Sequence, residues 1–108
     1  MNKYHNRKVQ IDRYVFDSVK EGKRYRELAL LEKAGEISEL ELQPKFLLQE
    51  SFRKNGKTFR KIEYIADFKY TENGKTIIED VKGIKTDVFK LKQKLFEYKY
   101  KDLELRII

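Results

Sequence analysis

Asp67, Asp80 and Lys82 are residues whose types and spacing suggest chemistry. Between the two aspartates lies Asn73-Gly74, flanked by the strand-like runs Lys61–Tyr70 and Thr76–Lys82. Asn-Gly between two such runs is the strongest short-range signal for a two-residue hairpin. That turn pairs Glu72 with Lys75, and counting outward sets Asp67 directly opposite Asp80. Alternation along a strand puts Lys82 on the face of Asp80. Two carboxylates then stand roughly 5 Å apart at Cβ, with an amine one step along. Like charges so placed are destabilising. The pair therefore calls for a metal ion or a shared proton. The plainer alternative is that each Asp joins an ion pair with Lys82 or Lys69.

Two further residues sit where apolar side chains belong. On a helix turning about 100° per residue, Glu21 falls between Tyr25 and Leu28, in the centre of the apolar stripe. Burying a carboxylate there is costly unless it is paired or bound to a cation. A capping box, with Ser18 at N-cap and Glu21 at N3, also accounts for it. The roles are compatible, because a capping carboxylate keeps a second oxygen. On a second helix, Val88, Leu91, Leu95, Phe96 and Tyr98 spread over a broad apolar arc, and Lys92 falls in its middle. A lysine can reach out of such an arc along its methylene stem, or it can serve a site. Lys90, Gln93 and Lys94 read as a solvated basic face suited to phosphate.

Two or three carboxylates converging on one point make a hard-oxygen site for Mg²⁺ or Mn²⁺. Such an ion stabilises charge on a scissile phosphate and lowers the pKa of a bound water. Lys82 would orient that water or offset transition-state charge. Composition agrees with a polyanionic partner: 25 Lys and Arg against 18 Asp and Glu give +7. Metal-assisted phosphodiester hydrolysis thus joins the carboxylates, the lysine and the charge. His5 is the only histidine, which argues against a His-based triad or a His-rich metal site. No Gly-rich loop of P-loop form is present.

The elements that must position these residues follow in order. The 108 residues, 40% hydrophobic, suffice for a single domain with one core. There are no cysteines, hence no disulfide or thiolate zinc site. No apolar run approaches the ~20 residues that span a bilayer, and the basic start lacks the apolar centre of a signal peptide. The expectation is a soluble, cytoplasmic protein without a small-molecule cofactor. Residues 1–7 are polar, and Lys8–Phe16 reads as an extended segment or hairpin. Asp17-Ser18 opens a helix to about Ala34, ended by Gly35. Leu40–Gln49 reads as one strand, with Leu40, Leu42, Pro44, Phe46 and Leu48 on one face; Pro44 suggests an edge or bulge. Asn55-Gly56 makes a second hairpin turn. After Gly83, Thr86 caps a helix from Asp87 to about Tyr100, and Leu103–Ile108 is a last strand. The middle strand turns Ile62, Tyr64, Ala66, Phe68 and Tyr70 away from Asp67. If Asn55-Gly56 sets the next register, Leu42, Phe46 and Leu48 come to the Asp67 face. Both sheet faces are then partly apolar, and one helix on each is the simplest cover. A dimer partner is another.

The stretches Phe16-Asp17-Ser18…Glu21…Tyr25…Leu28, Leu42-Gln43-Pro44-Lys45-Phe46, Tyr64-Ile65-Ala66-Asp67-Phe68, Glu79-Asp80-Val81-Lys82-Gly83 and Thr86…Phe89…Lys92 together resemble the PD-(D/E)XK nuclease superfamily. The chain looks closest to a family of small phage and prophage proteins similar to Holliday-junction resolvases. The resemblance implies an αβββαβ restriction-endonuclease-like core, a mixed sheet with one helix on each side. It implies Glu21 as the helix carboxylate reaching metal through water and Asp67 as the aspartate of the PD half, with Ala66 where the pattern has proline. Asp80 becomes the acidic residue of the second half, the Val81 carbonyl a further ligand and Lys82 the catalytic lysine. Lys92 and Gln93 fall where many members carry another polar residue. DNA contact would involve them with Lys90, Lys94 and Thr86. The expected activity is Mg²⁺- or Mn²⁺-dependent cleavage of branched or duplex phage DNA in the host cytoplasm, by a homodimer, since paired cuts need two sites. The competing expectations are a non-catalytic basic nucleic-acid-binding module on this fold, and a structural phage protein whose Asp and Lys are ion pairs.

Overall fold

The computed structural model describes residues 7–108, so His5 and most of the polar start lie outside the described residues. Val9–Ile11 (β1) and Tyr14–Phe16 (β2) form a small antiparallel hairpin. Ser18 then caps Val19–Lys33 (α1), its hydroxyl accepting the Glu21 N–H at 3.1 Å. Gly35, at φ +80°, follows the last turn. Gly22 lets the hairpin lie close on α1: a Cβ there would stand 2.9 Å from Ile11 Cδ1. Seven strands follow: Ser38–Leu42 (β3), Lys45–Gln49 (β4), Phe52–Lys54 (β5), Lys57–Phe59 (β6), Ile62–Ile65 (β7), Phe68–Glu72 (β8) and Lys75–Asp80 (β9). Thr86 caps Asp87–Lys99 (α2), and Glu104–Ile107 (β10) ends the order.

The fold is mixed α/β. Its largest sheet has the order β10-β9-β8-β3, with β10 parallel to β9 and the other pairs antiparallel. Asn73 and Gly74 both take left-handed φ, 51° and 78°. Their turn sets β8 against β9 in the expected register, from Glu72 opposite Lys75 to Phe68 opposite Glu79. Asn55-Gly56 does the same for β5 and β6.

Both long strands read from the sequence are broken in two. Leu40–Gln49 divides at Gln43-Pro44, and Lys61–Tyr70 at Ala66-Asp67. Pro44 has no N–H to offer a ladder, and Gln43 takes φ 52°. The two breaks lie side by side: the Gln43 N–H donates to the Asp67 carbonyl at 2.9 Å and the Ala66 N–H to the Pro44 carbonyl at 3.1 Å. Across them the strand pair turns over. Tyr64 and Ala66 pack with Phe46, Ile78, Phe89 and Phe96 on the α2 side, whereas Phe68 and Tyr70 pack with Phe16, Tyr25, Leu28 and Ile77 on the α1 side. Side chains of one parity therefore serve two cores, instead of the single face expected.

The expected placement of Leu42, Phe46 and Leu48 together on the Asp67 face is also corrected, although Leu42 still lines a cleft with Asp67. Leu47 opposes Glu63 and Gln49 opposes Ile62, leaving Leu48 as the extra residue of a bulge. Such an insertion slips the register by one, and a one-residue slip moves every side chain to the other face. Phe46 thus lies opposite Tyr64, the rings 6.5 Å apart, and Leu42 opposite Phe68.

A third correction concerns α2. Of the expected arc only Phe96 is buried; Val88, Leu91, Leu95 and Tyr98 are exposed, Tyr98 by 75%. The packed face runs instead through Phe89 and Phe96, whose rings join Phe46 and Tyr64 in one aromatic cluster. Aromatic rings bury more area per side chain and gain from edge and stacked contacts, which decides which face turns inward. Among the described residues no helix is long and apolar enough to cross a membrane.

Candidate active site

Glu21, Asp67, Asp80 and Lys82 meet where the strands break. Asp67 lies between β7 and β8, its backbone held on both sides: its N–H donates to the Glu79 carbonyl at 3.0 Å and its carbonyl accepts from Gln43. Its Oδ2 accepts the Val81 N–H at 2.7 Å. Asp80 is the last residue of β9 and 1% exposed. Its Oδ2 accepts the Tyr64 hydroxyl proton and lies 3.4 Å from Lys82 Nζ. That amine also stands 4.7 Å from the Phe89 ring centroid. Hydrogen bonds from Ile108 N–H to the Asp80 carbonyl and from Lys82 N–H to the Ile108 carbonyl extend the β9–β10 ladder past Asp80, which fixes the Asp80-Val81-Lys82 backbone.

Glu21 enters from the first turn of α1 and is buried. The capping box forms in part. Ser18 accepts the Glu21 N–H, but the Glu21 carboxyl takes the Asp17 backbone N–H and reaches Asp67. The bond to the Asp17 backbone and the approach to Asp67 thus coexist in one side chain. A cleft of about 250 Å³, lined by Phe16, Glu21, Leu42, Gln43 and Asp67, opens beside it.

Burial raises all three carboxyls above their ordinary range, because it penalises the charged form. It is the largest cause for Glu21, for Asp67, pushed up to about 6, and for Asp80, pushed up to about 7. The Asp67–Asp80 contact favours ionised Asp67 and protonated Asp80, and the Glu21–Asp67 contact favours ionised Glu21. Protons therefore rest first on Asp80 and next on Asp67. Burial and the bond to Asp80 raise the Tyr64 hydroxyl well above its ordinary value.

Among the described residues no three His, Cys, Asp or Glu side chains surround one point as a metal-holding group. Glu21, Asp67 and Asp80 are joined as a chain through Asp67 instead of a ring. In donor type they suit a hard cation, being carboxylate oxygens only. In position they are linked only in pairs, Glu21 with Asp67 and Asp67 with Asp80. Their oxygens are turned toward one another and toward Tyr64, Lys82 and Val81.

The residues expected on α2 divide. Lys92 and Gln93 are half-buried, at helical positions between Phe89 and Phe96, and Gln93 leaves the solvated face assigned to it. Lys90 and Lys94 are exposed, and Thr86 uses its hydroxyl to accept the Phe89 N–H at 3.1 Å. Tyr64, Tyr70, Arg24 and Glu79 were not foreseen. Glu79 is fully buried, gripped by Arg24 through Nε at 2.8 Å and Nη2 at 2.6 Å, and bonded by the Tyr70 hydroxyl. A signal existed: the hairpin register sets Glu79 across from Phe68, on an apolar face where a carboxylate needs a cation.

A family model matches residues 1–108, with the description "Protein of unknown function (DUF1064)", and the chain belongs to that family. No curated protein and no solved structure matches it.

Proposed function

We propose that this member of the DUF1064 family is a divalent-metal-dependent DNA endonuclease built on a PD-(D/E)XK-like core. The observation that carries the reading is the convergence of three carboxyls, buried Glu21 and Asp80 and half-buried Asp67 just before β8, with the Lys82 amine 3.4 Å from Asp80. The order α1, β3–β4, β7–β8, β9, α2, β10 agrees with the αβββαβ pattern. Asp67, Asp80 and the Val81 carbonyl would hold Mg²⁺ or Mn²⁺, with Glu21 acting through water. Bound there, the ion would neutralise charge on the scissile phosphate and lower the pKa of a water. Asp80 and Phe89 hold the Lys82 amine beside the carboxyls, from where it would orient the attacking water and offset charge on the phosphate. The net +7 would draw the backbone in, with Lys90, Lys94, Thr86, Lys92 and Gln93 as contacts on α2.

A homodimer would supply two cuts. Val88, Leu91, Leu95 and Tyr98 form an exposed stripe along α2 at heptad-like spacing. A second copy packed antiparallel about a two-fold would cover it and bring Asp87 near Lys99 and Lys90 near Glu97, an opposite-charge match at both ends.

One observation favours a second reading, a non-catalytic nucleic-acid-binding module: the carboxyls are turned to protein partners instead of a common point. The deciding experiment incubates supercoiled plasmid, four-way junctions and flaps with Mg²⁺ or Mn²⁺, comparing wild type with Asp80→Ala and Lys82→Ala. The nuclease reading expects each substitution to cut the rate by at least roughly 10²-fold. Equal cutting by all three removes the assignment. Salt-sensitive binding without cutting leaves the module.

A further inference from the structure

The chain between β4 and β7 does nothing for either core. Every residue from Gln49 to Lys61 is exposed, and β5 and β6 pair only with each other. A two-stranded ribbon alone is marginal in water. Its composition is also far from neutral: Arg53, Lys54, Lys57, Arg60 and Lys61 stand against the single acid Glu50.

The register sorts these side chains. Phe52 opposes Phe59 and Lys54 opposes Lys57 on one face; Arg53 opposes Thr58 on the other, with Arg60 on that same side by alternation. The two phenylalanines are 44% and 38% exposed, yet stack on each other at 4.9 Å with 9° between ring planes. Lys57 Nζ lies 5.1 Å from the Phe59 ring centroid. Arg53 braces the turn, donating to Thr58 Oγ1 at 2.7 Å and to the Gly56 carbonyl at 3.2 Å. Lys61 is paired with Glu63 at 3.6 Å. Among the described residues Lys54, Lys57 and Arg60 have no acidic partner. The stacked rings thus stiffen an arm that would otherwise fray, and cations project from both its faces.

We infer that the β5–β6 ribbon is a DNA-gripping arm that enters the major groove of duplex DNA and binds phosphates on both walls. The assignment rests on the nuclease reading only in taking DNA as the ligand. A major groove about 12 Å wide admits a two-stranded ribbon, and cations on both faces match a groove whose two walls are anionic. The arm is also coupled to the site, since it leaves directly through β7 into Ala66-Asp67. Six residues at about 3.3 Å each put its base roughly 20 Å from Asp67. An arm at that spacing holds the duplex more than half a helical turn from the scissile phosphate.

The test is fluorescence anisotropy of a fluorescein-labelled duplex in EDTA, titrated at roughly 50 to 200 mM KCl. The combined variant Lys54→Gln/Lys57→Gln/Arg60→Gln is compared with wild type and with the single charge reversal Lys57→Glu. The arm predicts roughly tenfold weaker binding by the triple variant and a salt slope smaller by about 2 to 3, near 0.9 per lost phosphate contact. It predicts weaker binding by Lys57→Glu. Wild-type affinity and slope in both arm variants overturns it, as does preference for a single strand over the duplex. The nuclease reading fails separately. If wild type never cuts but the arm variants lose binding, the arm stands and catalysis falls. If the arm variants bind and cut like wild type throughout the salt range, the arm falls and catalysis stands.

Discussion

Arg24 and Glu79 form a two-pronged ion pair that joins α1 to β9, one turn after Glu21 and one residue before Asp80. The Glu79 side chain is wholly out of contact with solvent, and Tyr70 completes its bonding. This bridge ties the helix that carries one carboxyl of the site to the strand that carries another. The bond to Glu79 also raises the Arg24 guanidinium further above its ordinary value.

Removing the cation alone should therefore be severe. Arg24→Ala is expected to cost about 3–5 kcal/mol, because it leaves a buried carboxylate without its partner. Urea unfolding measures it. A midpoint within error of wild type would show that α1 is held to β9 by apolar packing instead.

Metal binding should show as stability. A cation that binds only the folded chain raises its melting temperature, and its ligands must first lose their protons. With Asp67 and Asp80 pushed up to about 6 and about 7, Mg²⁺ or Mn²⁺ should raise the melting temperature by several degrees near pH 8 and hardly at all near pH 5. Asp67→Asn and Asp80→Asn should each abolish the rise. Thermal melts with and without EDTA decide it, and a flat response at both pH values removes the cation from the site.

Without metal, the same carboxyls make folding pH-dependent. Both folded values exceed the ordinary 3.8, so folding favours the protonated forms. That stability is fully present below about pH 4 and is lost as pH rises through about 6 and then 7. Asp80→Asn, which cannot ionise, should gain roughly 1–2 kcal/mol over wild type near pH 8 and nothing near pH 4. The difference between their urea midpoints across pH is the readout. A difference that does not change with pH contradicts the shared-proton account.

The outer stripe of α2 predicts an assembly. Leu91→Glu places a charge in its middle, where Leu91 is 59% exposed in the single chain. A fold that tolerates the change should give an unchanged melt in dilute protein, while light scattering shows a dimer of wild type become a monomer. A wild-type chain that is already monomeric at high concentration dismisses the two-fold packing.

The sequence by itself determined the local decisions. Asn73-Gly74 chooses one turn type, and that turn sets β8 against β9 by counting residues, as far as Phe68 opposite Glu79. Ser18 and Thr86 start the helices because their hydroxyls satisfy backbone donors three residues on. Glu21 was legible as misplaced since 3.6-residue periodicity needs nothing beyond its own helix. Tertiary structure decided what depends on neighbours distant in sequence. The bulge at Leu48 slips a register that no turn nearby controls. The adjoining breaks at Gln43-Pro44 and Ala66-Asp67 exist because two strands bend together to serve two cores. The inward face of α2 was settled by aromatic rings on β4 and β7, and Arg24 found Glu79 only when α1 packed on the sheet. Short-range steric preferences can be read along a chain, but competition between faces for burial is resolved only once the faces meet.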